Sequence, residues 1–415
     1  MGWGAIHSLL RIQVSKMAIK PVLHLVVSTG QMQANLIPIL QLKPDVVVLI
    51  VSPAMQENAE YLKRFLIQQA SYATEKVVLI DDMPDSQLIA IEEKALSIIT
   101  EIQESYPHHR IVYNATGGTK LMVLGLYETF VSEIDQVFYT DMEHERIEII
   151  SPRGAAPIPI EHVLSIENYL LSMGQQYRRS SNENWQERAQ SRKSITKWLG
   201  THADQLGPFF GEMNFMIQDA FNVHKRGEER KIINPHQQFR NKPRGIWLEA
   251  IKKCKEHNLC KWDENLSDSV YFNDIDAASF LGGVWLEEYV WHLLTDLDLD
   301  EVLANVEFTE LGAPKADIRN EIDCIAADRN RLLMIECKTG DLRSNESKTI
   351  EVLYKMHTLR QRSAGLYGES CLISARALSD SVLKRAKEYN ISVFFGSGLK
   401  DLKVYLKAWK LGKRQ

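Results

Sequence analysis

The unbroken apolar run Val46-Val47-Val48-Leu49-Ile50-Val51 constrains the front of this chain more than any other feature. A strand with one wet face alternates apolar and polar residues, whereas a continuous run needs apolar cover on both faces, the condition of a central strand in a parallel sheet. The surrounding sequence fits that frame. Pro21 to Val27, Asp45 to Val51, Lys76 to Ile80, Arg110 to Tyr113 and Gln136 to Tyr139 are short β-branched runs. Helix-like stretches separate them, at Ala54 to Tyr72, Asp85 to Ile102 and Thr119 to Phe130. Strands alternating with helices predict a doubly wound parallel sheet.

In such sheets ligands bind beyond the carboxyl ends of the strands. Two loops there carry suitable chemistry: Ser28-Thr29-Gly30-Gln31 after the first strand, and Asn114-Ala115-Thr116-Gly117-Gly118-Thr119-Lys120 after the fourth. The paired glycines let the backbone approach a ligand, the threonines supply hydroxyls, and the free amides of the helix starting near Thr119 favour an anion, to which Lys120 adds charge. The spacing is neither that of a P-loop nor G-x-G-x-x-G. Taken alone, the loop could equally be a capped strand-to-helix turn. The N-A-T-G-G-T-K loop together with S-T-G resembles the CARF (CRISPR-associated Rossmann fold) sensor domain, whose members dimerise and bind cyclic oligoadenylate between two sheets. The resemblance implies that Ser28, Thr29, Gly30 and Gln31 line one side of a ligand groove, and Asn114, Thr116, Gly117, Gly118, Thr119 and Lys120 the other.

A different chemistry lies towards the C-terminus. Glu321-Ile322-Asp323-Cys324-Ile325 and Leu332-Leu333-Met334-Ile335-Glu336-Cys337-Lys338 flank the turn-rich Asp328-Arg329-Asn330-Arg331, which reads as a hairpin. Glu336 and Lys338 share one face of their strand while Cys337 points the other way. If the register brings Asp323 across from that face, Asp323 and Glu336 could hold Mg²⁺ or Mn²⁺, and Lys338 could orient a nucleophile or neutralise developing charge. A solvated ion-paired hairpin is the alternative, but Met334, Ile335 and Cys337 mark a strand entering a core, where charges are costly. Upstream, Gly283-Val284-Trp285-Leu286-Glu287-Glu288-Tyr289-Val290 opens an apolar helix carrying an acidic residue. A helix reading G-x-x-L-E-x-x-V, then an aspartate, then E-x-K on adjacent strands resembles the PD-(D/E)xK phosphodiesterase superfamily. On that resemblance Glu287, Asp323, Glu336 and Lys338 are the catalytic residues; the departure is Ile322 where proline is usual before Asp323.

At 415 residues, 45% hydrophobic and 25% charged, the composition is that of a globular protein of two or three domains. Five scattered cysteines without a paired framework fit a reducing cytoplasm. No apolar run has membrane length and no signal peptide is legible, so no membrane association is expected, and residues 1 to 16 carry no assignable role. The net charge of −5 conceals an asymmetry: residues 1 to 165 hold 12 basic and 19 acidic groups, residues 170 to 270 hold 17 and 12. The N-terminal third is therefore not where a polyanion-binding surface is expected. Lys225 to Lys261 has 11 Lys or Arg against four Glu, with Phe239 and Trp247 interleaved, a pattern that can grip phosphates and stack bases, or can be an ordinary solvated face.

That middle third reads as a linker at Pro152, Pro157 and Pro159, helices around Glu161 to Met173 and Trp185 to Leu199, then a helix over Arg244 to Asn258 with a strand pair, Leu259 to Trp262 and Ser269 to Phe272. This suggests a small winged-helix-like module. Cys254, His257 and Cys260 lack a fourth ligand nearby and read as packing residues rather than a zinc site. The expected organisation is a Rossmann-like CARF-type sensor at 18–155, a linker and winged-helix-like module at 160–275, and a restriction-endonuclease-like α/β domain at 276–415. This combination resembles the CARF nucleases of type III CRISPR defence. The resemblance implies a homodimer that cleaves DNA or RNA with Mn²⁺ or Mg²⁺ when cyclic tetra-adenylate binds. A ligand-responsive transcription regulator with an inactive nuclease-like domain, and an ungated repair or restriction nuclease, are the alternatives.

Overall fold

The computed structural model describes residues 20–221, 231–265, 268–311, 319–343 and 346–412. The chain divides at Ile160/Glu161 into two compact units. Residues 1 to 16 and the start of the basic run, 225–230, lie outside the described residues.

The first unit is built on β1 (Val22–Val27), α1 (Gln33–Leu42), β2 (Val46–Ile50), α2 (Gln56–Gln68), β3 (Val77–Ile80), α3 (Leu88–Ser105), β4 (Arg110–Asn114), α4 (Lys120–Phe130), β5 (Gln136–Asp141), β6 (Arg146–Ser151) and β7 (Ile158–Pro159). Its sheet runs β3-β2-β1-β4-β5-β6-β7, with β1 to β5 parallel and the last two strands antiparallel. All of β2 is buried, as its sequence requires. Leu23, Leu25 and Val27 face one way at the strand period, and meet Ile91, Ala95, Ile98 and Ile102 of α3 and Met122, Leu126 and Phe130 of α4, both at helical spacing. The proline-marked segment expected as linker contributes a strand: Ile158 and Pro159 pair with β6 at the sheet edge, where a residue without an N–H is tolerated.

In the second unit come α5 (Ile166–Ser172), β8 (Gln175–Arg179), α6 (Glu183–Ser191), α7 (Lys193–Thr201), α8 (Ala203–Ala220), β9 (His236–Gln238), α9 (Ile246–Glu256), β10 (Cys260–Lys261), β11 (Ser269–Phe272) and α10 (Ile275–Ser279). A π-helical turn, Phe280–Val284, leads into α11 (Trp285–Thr295). After it come β12 (Glu301–Glu310), β13 (Asn320–Asp328), β14 (Arg331–Lys338), α12 (Glu346–Ser363), β15 (Gly368–Ser374), α13 (Asp380–Glu388), β16 (Ile391–Phe395) and α14 (Leu399–Lys410). The main sheet runs β16-β15-β14-β13-β12-β8, antiparallel from β8 to β14 and parallel from β14 to β16.

The stretch 160–275, expected as a linker and winged-helix-like module, shares a sheet from β8 onward and a core with residues 276–415. Strand β8 pairs with β12, and α7 and α8 bury Leu199, Phe209, Phe210, Met213 and Ile217 against Trp285 and Leu286 of α11. The Phe210 and Trp285 rings stack with centroids 4.5 Å apart. The apolar stripe of α8 needs a partner, and the π-helical turn Phe280–Val284 with Trp285 just after it supplies one. Where one helix was expected from Trp185 to Leu199, the chain makes two, broken at Arg192, whose guanidinium pairs with Asp276 at 2.5 Å and with buried Glu288. The expected strand pair forms, joined by β9 into a three-stranded sheet beside α9. Cys254 and Cys260 lie in this core, and burial raises both thiols, Cys260 to about 12.

Candidate functional site

The hairpin ladder pairs Asp328 with Arg331 and Cys324 with Ile335. One step further along that register Asp323 faces Glu336, and directly opposed residues share a face of the sheet. The Asp323 carboxylate accepts the Cys337 backbone N–H at 2.6 Å. Lys338 donates from its ammonium to Glu336 at 2.5 Å and lies 3.8 Å from Asp323. Glu287 comes from the first turn of α11, and the Cys324 thiol donating to its carbonyl at 3.7 Å sets that turn against β13. The π-helical turn places the helix start: Gly283 has φ +154, and a side chain there would come within 3.0 Å of the Thr339 hydroxyl, which donates to Gly282 at 3.2 Å.

These neighbours alter one another's ionisation. Burial first and the Asp323 charge second push Glu287 up to about 8. Burial and then repulsion from Glu336 push Asp323 up to about 7, against the attraction of Lys338. Burial alone would lower Lys338, but Asp323 and Glu336 outweigh it and raise the ammonium above its usual value. The four residues singled out from sequence therefore meet where the start of α11 lies against the central strands β13 and β14, carrying more carboxylate than Lys338 can neutralise. Among the described residues, no group of three or more His, Cys, Asp and Glu side chains is placed to hold a metal ion.

A cavity of about 570 Å³ opens beside them, lined by Glu287 and Lys338 and by Asn214, Phe215, Thr339 and Arg376, which sequence reasoning missed. Asn214 and Phe215 sit on α8, in the region read as separate. The stacking role considered for Phe239 and Trp247 fails: Phe239 is buried and Trp247 packs on Phe209 with ring centroids 5.8 Å apart. Phe239 is a core residue, and Trp247 packs half-buried against that core. An exposed aromatic beside the cavity is Phe215, with the Arg240 guanidinium 4.1 Å from its ring centre.

In the first unit β1 and β4 are adjacent, and the strand order reverses between them. The two loops therefore flank the switch point, where the crevice of an open α/β sheet lies. Asn114 is fully buried and donates to Ala34 O at 3.2 Å and Asn35 Oδ1 at 3.3 Å. The Thr116 hydroxyl donates to Asn114 Oδ1 at 2.5 Å and accepts from Thr140 N at 2.8 Å. Ser28 is buried and donates to Met55 O at 3.3 Å. A Cβ on Gly117 would stand 2.4 Å from the Val27 carbonyl, and Gly118 has φ +95. Ser28, Asn114 and Gly117 thus shape the loops from within, with Thr29 and Thr116 half-buried. Gly30, Gln31, Gly118, Thr119 and Lys120 are exposed. Thr119 caps α4 by accepting from Met122 N at 3.2 Å, which leaves Lys120 on the first helical residue.

Two family models match the chain: a Card1 CARF domain over residues 22–169 and a Card1-like endonuclease domain over residues 274–413. Among solved structures, protein VC1899 from Vibrio cholerae aligns at TM-score 0.75 and 18% identity, over 94% of this chain and 98% of that one. Can2 from Sulfobacillus thermosulfidooxidans, solved in complex with cyclic tetra-adenylate, aligns at TM-score 0.71 and 22% identity, over 94% and 97%. A type III CRISPR defence DNA nuclease activated by cyclic oligoadenylate aligns at TM-score 0.51 and 14% identity, over 87% of this chain and 46% of that one. At these identities the likeness is one of fold. No curated protein sequence matches.

Proposed function

The chain joins a Card1-type CARF domain to a Card1-like endonuclease domain and so belongs with the CARF nucleases; from that premise we propose that it is a metal-dependent nuclease of DNA or RNA switched on by cyclic tetra-adenylate. The observation that carries the nuclease half is that Lys338 lies within 3.8 Å of both Asp323 and Glu336, while Lys338 and the neighbouring Glu287 line a cavity. A scaffold has no use for buried carboxylates under mutual repulsion.

Asp323 and Glu336 would hold the metal. The donor set fits: their charge exceeds what Lys338 offsets, and Mg²⁺ is commonly bound through one or two carboxylates with water and substrate phosphate completing its shell. Such a metal supplies an activated water and stabilises charge on the phosphodiester. Lys338 stays protonated and can pair with the phosphate oxygen that gains charge. Glu287, pushed up to about 8, can hold a proton near neutral pH.

For the sensor half, the exposed backbone at Gly30 and Gly118 and the Lys120 ammonium suit a ring of phosphates and riboses. Cyclic tetra-adenylate has approximate two-fold symmetry, and each sheet offers one pair of switch-point loops, so two copies related by a two-fold axis would enclose it. The exposed Leu88 and Ile89 on α3 and Leu121 and Leu124 on α4, which packs against α3, suit the partner copy.

Full-length protein incubated with Mn²⁺ and either plasmid or single-stranded RNA, with and without cyclic tetra-adenylate, tests the whole reading. Cleavage only with both metal and activator is expected. Cleavage independent of activator would leave an ungated nuclease, and ligand binding without cleavage would leave a regulator.

A further inference from the structure

A second cation faces the cavity beside Lys338, and the chemistry assigned to Glu287, Asp323, Glu336 and Lys338 does not use it. Arg376 sits two residues beyond the end of β15. The parallel register sets Ser374 beside Lys338, and the Ala375 N–H donates to the Lys338 carbonyl at 2.9 Å. Ser374 then fixes the next turn of chain, its hydroxyl donating to Arg376 O at 2.7 Å and accepting from Arg376 N at 3.3 Å. The backbone of Arg376 is thereby tied to the strand that carries Glu336 and Lys338.

Its side chain runs along α8 through a gap left by two glycines one turn apart. A Cβ on Gly207 would stand 4.0 Å from Arg376 Cγ, and one on Gly211 would stand 3.1 Å from Nη1. Any residue larger than glycine at 211 crowds the guanidinium. At the end of this channel Arg376 pairs with Asp341 at 3.0 Å, the two side chains being 20% and 29% exposed. Asp341 also lies 3.7 Å from Arg343, so it keeps a cation nearby if Arg376 turns away. An isolated, partly exposed pair of this kind contributes modestly to stability, whereas the planar fork of arginine matches phosphate oxygens two at a time.

We propose that Arg376 grips a phosphate of the bound nucleic-acid strand adjacent to the one that is cut, and that Asp341 holds its guanidinium until the strand arrives. The assignment rests on the nuclease reading. It makes Asp341 a competitor of the substrate, so variants at the two ends of one ion pair should act with opposite sign.

The test is binding of a labelled single-stranded oligonucleotide to the full-length protein, with cyclic tetra-adenylate present and Ca²⁺ replacing the active metal, read by anisotropy from 50 to 200 mM salt. Arg376→Ala should weaken binding about tenfold, the scale of one charge-assisted hydrogen bond, and lower the salt slope by ~0.7, the value for one phosphate contact on a single strand. Arg376→Lys should restore the slope. Asp341→Asn should tighten binding about two- to fivefold at low salt. In cleavage assays Arg376→Ala should raise KM more than it lowers kcat. If both variants weaken binding alike, or Arg376→Ala leaves the slope unchanged while the wild type still cleaves, the pair only staples two loops and the assignment fails. If the wild type neither binds nor cleaves, the nuclease reading falls and takes the assignment with it.

Discussion

Replacing Asp323 by asparagine should make the metal-free protein more stable while abolishing its activity. Asp323 is pushed from 3.8 up to about 7, so folding obliges a carboxylate that the unfolded chain ionises freely to keep its proton or suffer burial beside Glu336. The stability associated with the protonated group is fully present below about pH 4 and is lost as pH rises towards 7. At roughly 1.4 kcal/mol per pH unit, that loss is at most about 4 kcal/mol at pH 8. Part of it is repulsion shared with Glu287 and Glu336, which relaxes when a partner takes up the proton, so a gain of ~2 kcal/mol is expected from Asp323→Asn. Asparagine can still accept the Cys337 N–H, so the hairpin keeps that bond. For a unit of this size ~2 kcal/mol corresponds to about 4–8 °C in Tm. Thermal unfolding in chelator at about pH 4.5 and pH 8 reads the difference. The variant should gain at pH 8 and gain little at pH 4.5. Saturating Mn²⁺ or Mg²⁺ at pH 8 should then raise the wild type by about 3 kcal/mol at a hundredfold excess over Kd and leave the variant unmoved. Equal gains at both pH values, or none, would refute the argument that Asp323 sits in an uncompensated acidic site.

Glu336→Ala and Lys338→Ala should each reduce cleavage by several orders of magnitude with activator binding intact, and near-native turnover in either would remove these residues from the chemistry. Gly117→Ala should weaken activator binding more than tenfold and lower the sensor's melting temperature, because the added methyl meets the Val27 carbonyl at 2.4 Å; calorimetry with cyclic tetra-adenylate checks it. Lys120→Glu should raise the half-activating concentration about tenfold without altering the metal requirement, and activation at the wild-type concentration would make the loop merely structural. The double variant Ile89→Glu, Leu124→Glu should yield monomers by mass photometry that bind activator poorly, against one activator per dimer in the wild type.

The parallel core of the first sheet and the identity of the charged hairpin were legible in the sequence because both rest on short-range patterns. An unbroken apolar run such as Val46 to Val51 has few places to go except the middle of a parallel sheet, and Glu336 and Lys338 must share a face wherever their strand lies. The glycines at 117 and 118 read as letting the backbone approach a ligand, whereas the space beside Gly117 is filled by the Val27 carbonyl. Tertiary structure decided what those patterns serve. That α8 packs on the π-helical turn before α11, that Asn214, Phe215 and Arg376 reach the cavity beside Lys338, and that Phe239 is core rather than a base platform all depend on contacts between segments tens to more than a hundred residues apart. Periodicity shows that a helix has an apolar stripe but not which stripe will cover it. The shifts of Asp323 and Glu287 belong to the same class, since desolvation is a property of everything packed around a carboxylate and none of it is written beside the residue in the chain.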